Sequence, residues 1–492
     1  MNLEGIKVDQ KASFVNFVYP FLFNPEEFLV RTEAFENAQW IGRERPLRIW
    51  KQQHFPEDDL LPHVARYLNP SDHTPPTARL WKIEDYTLTS RSGLGGKEEW
   101  ELVIPQGLVH FRINDVQLTM FRIGVGFLTV QVEPKEDKVS NWLDLIHYFR
   151  FARGRRGVGI QAKCKVGKAQ SVPFYPEPAG GIAQHPEGKG FFTELIDALL
   201  ITARLEKESD LWWHEVFIPG QLIPFAALFI DLVTEKEIPS MVYRVRNFFH
   251  ACQEINPSDE DLRLDHPNLL PYAKYHWFVF SLDGGGFVGC NPLQTDFFRK
   301  TLPDHLKDQY FLLFLLALHQ RFTLMMLSEE VAKHWLADDY KCNDEDREKA
   351  FARIMDAFLS FTARGQFTQV MQQEHHHRCY QKWQEIFQVN SLYQEVSEEV
   401  QEMYNYLQMC RTERLQKLAE EQQVQTRKLE ERISVLAVCI GIPALILSFM
   451  SINLYGFTTK DEGIPIFLAL LISVLGGGLL SLIVVRLLKR RT

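Results

Sequence analysis

The chain has 492 residues, of which 46% are hydrophobic, 12% aromatic and 24% charged, and its formal net charge is -9. This length and apolar content exclude a disordered, collagen-like or disulfide-stapled protein and predict two or more structural units. The acidic balance argues against a DNA or RNA binder, which needs a basic face. The cysteines are scattered, with no Cys-x-x-Cys pair, so neither a zinc ribbon nor a thiol redox motif is expected. With the polar opening Met1–Lys11, they fit reduced thiols in a cytosolic environment.

Residues 1–76 carry weak signals, and Asn69-Pro70 to Pro75-Pro76 reads as a linker. Residues 77–300 read as a cytoplasmic α/β domain. Strand patterns fall at Glu101–Pro105, Val109–Asn114, Gln117–Ile123 and Phe127–Val132, with Gly or Asn-Asp at the turns. Helical patterns follow at 141–151 and 191–205. A strand-like run at 222–232, a helical pattern at 241–252 and the segment 275–282 come next. Asp283-Gly284-Gly285-Gly286 then leads into Phe287–Cys290. No Gly-Lys-Ser/Thr follows these glycines or Gly93-Leu94-Gly95-Gly96, so hairpin turns are expected there rather than P-loops.

Arg150, Arg153, Arg155, Arg156, Lys163, Lys165 and Lys168 crowd one Gly-rich segment with no acid among them. Forked Arg donors on flexible backbone suit phosphate, as in a nucleotide. A solvated loop and contact with anionic lipid are the alternatives. Further on, His375-His376-His377 cannot all face one metal, because adjacent helical residues point about 100° apart. His375 and Cys379 form an i,i+4 pair that could bind metal, and a polar helix surface is the alternative. No Ser/His/Asp set, carboxylate pair or His-Glu-x-x-His is recognisable, so no enzyme activity and no cofactor are expected.

There is no Gly or Pro from Asp304 to Arg364, nor from Gln366 to Ile440. Residues 301–432 therefore read as a helical stalk. Apolar residues recur at Leu392, Val396, Val400, Met403, Leu407, Leu415, Leu418, Leu429, Ile433 and Leu436, mostly three or four apart, as along a coiled-coil seam. Arg411, Gln422, and Gln425 or Thr426 interrupt it, which suits a loosely packed or water-lined bundle. A continuous helix from Ser391 to Gly441 would measure roughly 75 Å.

Ile433–Thr459 and Ile464–Val485 contain no charged residue, and each can supply the roughly 20 apolar residues that cross a bilayer. The boundaries read as a first transmembrane helix at 433–454, an extracytoplasmic loop at 455–464, a second helix at 465–488 and a basic tail at 489–492. Tyr310–Leu327 is also apolar, but Arg321 and His319 mark it as a buried core helix. Arg427, Lys428 and Arg432 precede the first span, and Arg486, Lys489, Arg490 and Arg491 follow the second. The positive-inside rule then puts both ends in the cytoplasm, in a multi-pass protein of the cell (inner) membrane.

A long stalk helix enters the bilayer, meets Pro443 mid-span and ends at Tyr455-Gly456. An acidic loop with Asp461 and Glu462, a second span and the tail Lys489-Arg490-Arg491 follow. In this architecture, over roughly Gln366–Thr492, the chain resembles the CorA superfamily of divalent-cation channels. The resemblance implies a homopentamer in contact with lipid, with the first span around one pore and the second packed outside. It implies divalent cations, Mg2+ among them, as the transported ions. The family's Gly-Met-Asn signature is not intact, since Phe457 and Thr458 stand after Tyr455-Gly456, which leaves Mg2+ selectivity open. Asn453, Tyr455, Gly456, Thr458, Asp461 and Glu462 would form the pore mouth.

Helical spacing around Pro443 groups Ser434, Val438, Ile442, Leu445, Phe449 and Ile452 as the pore-lining face, whose apolar character suits a dewetting gate. The neighbouring face with Gly441, Ser448 and Tyr455 is the alternative lining. The missing signature, the large cytoplasmic domain and the basic segment also resemble CorA-like proteins that accompany type III CRISPR antiviral defence systems. That likeness implies the alternative function of a membrane effector gated by a nucleotide second messenger. A membrane-anchored scaffold is a third option.

Overall fold

The computed structural model describes residues 3–41, 46–71, 74–83, 99–151, 161–165, 189–191, 196, 199–203, 211–216, 221–335, 344–454, 471, 474–479, 482–483 and 486. The chain divides into two compact units, Met1–Gln401 and Glu402–Thr492.

The first unit is built on one large sheet. Across it run β11 (Lys189–Phe191), β10 (Gln161–Lys165), β7 (Glu99–Ile104), β8 (Gly107–Phe121), β9 (Val125–Pro134), β2 (Phe14–Phe23), β13 (Ile223–Asp231), β16 (Gly284–Cys290), β15 (His276–Ser281) and β14 (Leu269–Ala273). To this path are added β1 (Lys7–Val8) on β13, β12 (Trp213–Glu215) on β2, and β6 (Ala78–Ile83) on β8 with β5 (Trp50–Gln53) beyond it. A separate pair joins β3 (Gln39–Ile41) to β4 (Pro46–Arg48). Neighbouring strands are antiparallel except β13 and β16, which run parallel.

Both faces of the sheet are covered. Strand β2 shows why: it is buried along its whole length, and its side chains alternate between two cores. Val15, Phe17, Tyr19 and Phe21 face the core shared with α1 (Phe28–Asn37), α3 (Val139–Phe149) and α4 (Ile238–Arg246). Phe14, Val18 and Leu22 face the opposite core. That core is shared with α2 (Pro62–Leu68), α5 (Phe311–Trp335), α6 (Asp344–Arg364), α7 (Glu374–Ile386) and the start of α8 (Val389–Leu454). Each large apolar side chain buried this way contributes roughly 1.5–3 kcal/mol.

Three features differ from the divisions drawn on the sequence. Residues 1–76 are not set apart from the sheet, because β2 sits in its middle, paired with β9 and β13. The expected strands 109–114 and 117–123 are one strand, β8, with a bulge between Ile113 and Asp115. Of the helices in 301–432, α5 and α7 pack on the sheet and α6 packs against α5, all inside the first unit, and α8 alone continues beyond residue 401. α5 belongs to the one helix among the described residues that is long and apolar enough to cross a membrane, Phe297–His334, with mean hydropathy 1.5; 83% of its apolar window is buried in the fold.

The hairpin expected near Asp283 is present between β15 and β16, but its turn is Leu282-Asp283, and Gly284–Gly286 lie within β16. Closeness of the neighbouring strands requires glycine there. A Cβ on Gly286, whose φ is +147°, would fall 1.9 Å from the Ala226 carbonyl oxygen, and one on Gly285 would fall 2.2 Å from that of Val279. The Gly93–Gly96 run lies outside the described residues.

Candidate functional site

The second unit is dominated by α8. The helix is 66 residues long and holds Pro443 in its interior. Its part from Glu402 to Leu454 spans about 80 Å at 1.5 Å per residue. Met403 and Leu407 are buried, whereas Leu415, Leu418, Val424 and Leu429 are exposed along the charged stretch. From Ile433 the charges stop, and the large apolar side chains stay open: Leu436, Ile440 and Leu445 are 59–72% exposed. The helical residues described in the second apolar stretch behave alike, with Leu475, Leu479 and Leu482 63–66% exposed. Apolar surface left open on this scale marks a site that lipid or another chain covers.

The two stretches meet at one defined place. Gly477 is buried, and a Cβ built on it would lie 3.1 Å from Cγ and 3.2 Å from Cα of Pro443. Pro443 removes the hydrogen bond to the Cys439 carbonyl that a continuous helix would make at that position. The missing side chain of Gly477 lets the second segment approach the proline ring closely, the small-residue packing that joins helices in lipid. Pro443 and Gly477 are equidistant in sequence from Lys460, in the loop expected between the spans.

Along α8 in this region Val435, Val438, Gly441, Ile442, Pro443 and Ile446 are half-buried, whereas Ser434, Leu436, Ala437, Cys439, Ile440, Ala444, Leu445 and Ser448 are exposed. Of the pore set grouped from sequence, Ser434 and Leu445 are exposed and Val438 and Ile442 are half-buried. The side chains of Phe449, Ile452 and Asn453 lie outside the described residues, although the helix backbone runs through all three. Tyr455, Gly456, Thr458, Asp461 and Glu462 lie outside the described residues altogether. The stripe Ser434, Ala437, Gly441, Ala444 and Ser448, spaced alternately three and four, was missed as a set on sequence, though Gly441 and Ser448 were noticed.

Of the basic segment, Arg150 is described in full, and it is not open to solvent. Its guanidinium donates to Asp283 at 3.1 Å and lies 5.2 Å from the ring centres of both Phe151 and Phe248. Burial pulls it below the usual guanidinium range, and the Asp283 charge opposes that shift. Arg150 thus fastens the end of α3 to the β15–β16 turn, a structural task that takes up its charge. Lys163 and Lys165 are on β10, paired with β7 and β11 through the backbone, and their side chains lie outside the description. Arg153, Arg155, Arg156 and Lys168 lie outside the described residues.

The three histidines open α7. His376 is 1% exposed and its ring meets that of Tyr310, with centroids 4.7 Å apart; neither ring nitrogen has a hydrogen-bond partner. Burial depresses its pKa to about 4, so the ring is neutral at physiological pH. Cys379 is fully buried, and burial drives its thiol far up, which removes thiolate character. No metal-holding group of three or more His, Cys, Asp or Glu side chains is found among the described residues.

A shallow cleft of about 1070 Å³ opens where the parallel strands β13 and β16 end. Its acids are engaged by neighbouring cations. Arg299 donates to Asp9 at 2.7 Å and to Asp231 at 3.0 Å, and Lys7 donates to Asp137 at 2.8 Å. These pairs tie the N-terminal strand to the sheet. No family model, curated protein or solved structure matches the chain.

Proposed function

We propose that the chain is a CorA-like membrane ion channel, a homopentamer that passes divalent cations through a pore lined by α8. The observation that carries this is the second unit's chemistry. A long helix sheds every charge at Ile433, keeps its large apolar side chains open, and is met at Pro443 by a second apolar helical segment through Gly477. From Ile433 to Leu454 the helix spans about 33 Å, close to the roughly 30 Å of a bilayer's hydrocarbon core. The large first unit, on the same chain as α8, is the gating domain in this proposal.

Side-chain size guides the choice of lining. If the second segment packs outside the first, the pore faces the side of α8 turned away from it. That side carries Ala437, Gly441, Ala444 and Ser448, with Ser434 at its cytoplasmic end. These small side chains leave room for a hydrated cation, and the Ser hydroxyls offer oxygen to it. Leu445 borders the same side, and in this proposal the half-buried Val438 and Ile442 flank the lining rather than form it.

Native mass spectrometry of the full chain in detergent tests the assembly, and alkaline extraction of membranes tests the insertion. Pentamers from a membrane fraction that resists extraction are expected. Monomers or dimers alone, or release at alkaline pH, would overturn the proposal.

A further inference from the structure

The part of α8 that leads to Ile433 follows a stricter repeat than steps of three or four. Leu415, Leu418, Gln422, Thr426, Leu429 and Ile433 advance by three, four and four residues, and then by three and four again. The same steps continue without a slip through Ala437, Ile440, Ala444 and Ser448, which completes three 11-residue repeats from Leu415. A seven-residue continuation of Leu415, Leu418 and Gln422 would instead pass through Arg432. The 11-residue line holds no charge from Leu415 to Ser448, so it is the line along which this helix can be buried. The opposite side carries Glu413, Glu420 and Glu431 with one apolar residue, Val424. Arg411, one turn before Leu415, falls on the same line and ends it, because like charges repel where helices meet.

Every side chain of this line is exposed in the single chain. The two flanks of the line carry opposite charge at one height. At about 98° per residue, Glu430 lies about 65° to one side of the line's centre and Arg432 about 100° to the other. In a ring of parallel helices, one flank of each helix meets the other flank of its neighbour. Glu430 of one copy then comes beside Arg432 of the next, only two residues away along the axis. The polar step agrees with the same arrangement. The Thr426 hydroxyl donates to the Gln422 carbonyl of its own helix at 2.8 Å, which satisfies it within one chain. The Gln422 carboxamides are left to bond one another, and a polar group on a buried seam fixes register at a cost in stability.

From this pattern we infer that the face from Leu415 to Ile433 is covered by the same face of further copies of this chain, parallel and in register. The inference rests on the homopentamer proposed above and names its stalk contacts. A repeat of about 3.67 residues per turn exceeds the 3.6 of a straight helix, so the copies wind right-handed, where a heptad seam would wind left-handed. The line runs on into Ala437, Ala444 and Ser448, so the side that faces the axis in the stalk is the small-residue side proposed to line the pore.

The test is cross-linking of the full-length protein in mild detergent with a short bis-maleimide. The background has Cys164, Cys252, Cys342, Cys410 and Cys439 replaced by serine. With Glu430→Cys and Arg432→Cys on the same chain, each copy links to both neighbours, and a covalent ladder up to five copies is expected on a denaturing gel. Either substitution alone places its thiols on one flank only and should give no ladder. Gln422→Leu should carry the assembly to a higher denaturant concentration, and Gln416→Leu, off the line, should not. Native mass spectrometry of the same protein before cross-linking separates the two readings. Pentamers without a ladder, a ladder that stops at two copies, or equal effects of Gln422→Leu and Gln416→Leu would overturn the inference and leave the channel proposal standing. Monomers alone would overturn both.

Discussion

Replacing Gly477 tests the contact on which the second unit's architecture rests. One added carbon meets Pro443 at 3.1–3.3 Å, so Gly477→Ala requires a shift of a few tenths of an ångström. The better helix propensity of alanine offsets that by up to about 1 kcal/mol, and the net change should stay within about 1 kcal/mol. Gly477→Ile places three further carbons in the same closed space, and overpacking of this kind costs about 1–3 kcal/mol. Gly476 and Gly478 are the internal controls, because a Cβ at either meets nothing within 4 Å. Denaturant titration of the full chain in mild detergent, followed by helical circular dichroism, reads the difference. Gly477→Ile should shift the transition that Gly476→Ile and Gly478→Ile leave in place. Equal shifts at all three positions would refute the packing argument.

Three other outcomes follow from the geometry. With Cys439→Ser as background, Ala437→Cys, Ala444→Cys and Ser448→Cys should react with a water-soluble cationic thiosulfonate, and Val438→Cys and Ile442→Cys should be protected; the reverse pattern returns the lining to the Val438 side. Asp283→Ala leaves the buried Arg150 guanidinium without its counter-charge and should cost about 1–2 kcal/mol, at the low end for a broken buried pair because Asp283 is 54% exposed; a melting temperature equal to wild type contradicts the fastening role. His376 binds a proton more weakly folded than unfolded, so stability is full above pH about 6.5 and falls as pH drops from there towards about 4, by up to about 1.4 kcal/mol per pH unit. His376→Phe should therefore make the loss of stability between pH 7 and pH 5 shallower, and an unchanged slope refutes this.

The sequence was most legible where a local pattern coincides with one element. The meander 101–132, the helix expected at 141–151 and the strand at 222–232 are all present, with ends shifted by a few residues. Strand β2 was not seen because Pro20 stands within it, and a proline argues against a central strand. The structure accommodates it by a change of neighbour: β13 pairs with β2 as far as Val18, and β12 takes over from Phe21. The helix breaks were equally hidden. α7 ends at Ile386 with no Gly or Pro nearby, and Gln388, at φ +55°, turns the chain into α8. Tertiary packing sets that break, which composition does not encode. The split of residues 301–432 between sheet-packed helices and α8 was hidden for the same reason. The Arg150–Asp283 pair joins positions far apart in sequence, so crowding of basic residues could not separate a committed arginine from its neighbours. At the candidate site, helical spacing alone offered two faces of α8. Burial does not choose between them, because Gly441 on the small-residue face is half-buried like Val438 and Ile442, and the proposal takes that face for the size of its side chains.

Ion flux through purified protein tests the central proposal most directly. Full-length protein is reconstituted into liposomes loaded with a Mg2+-sensitive dye, beside a Ser448→Phe variant and protein-free vesicles. The account predicts Mg2+ or another divalent cation entering wild-type vesicles down its gradient, with entry lost when a bulky ring replaces the Ser448 hydroxyl. Wild-type vesicles that contain inserted pentamers yet admit no divalent cation faster than protein-free vesicles would contradict it.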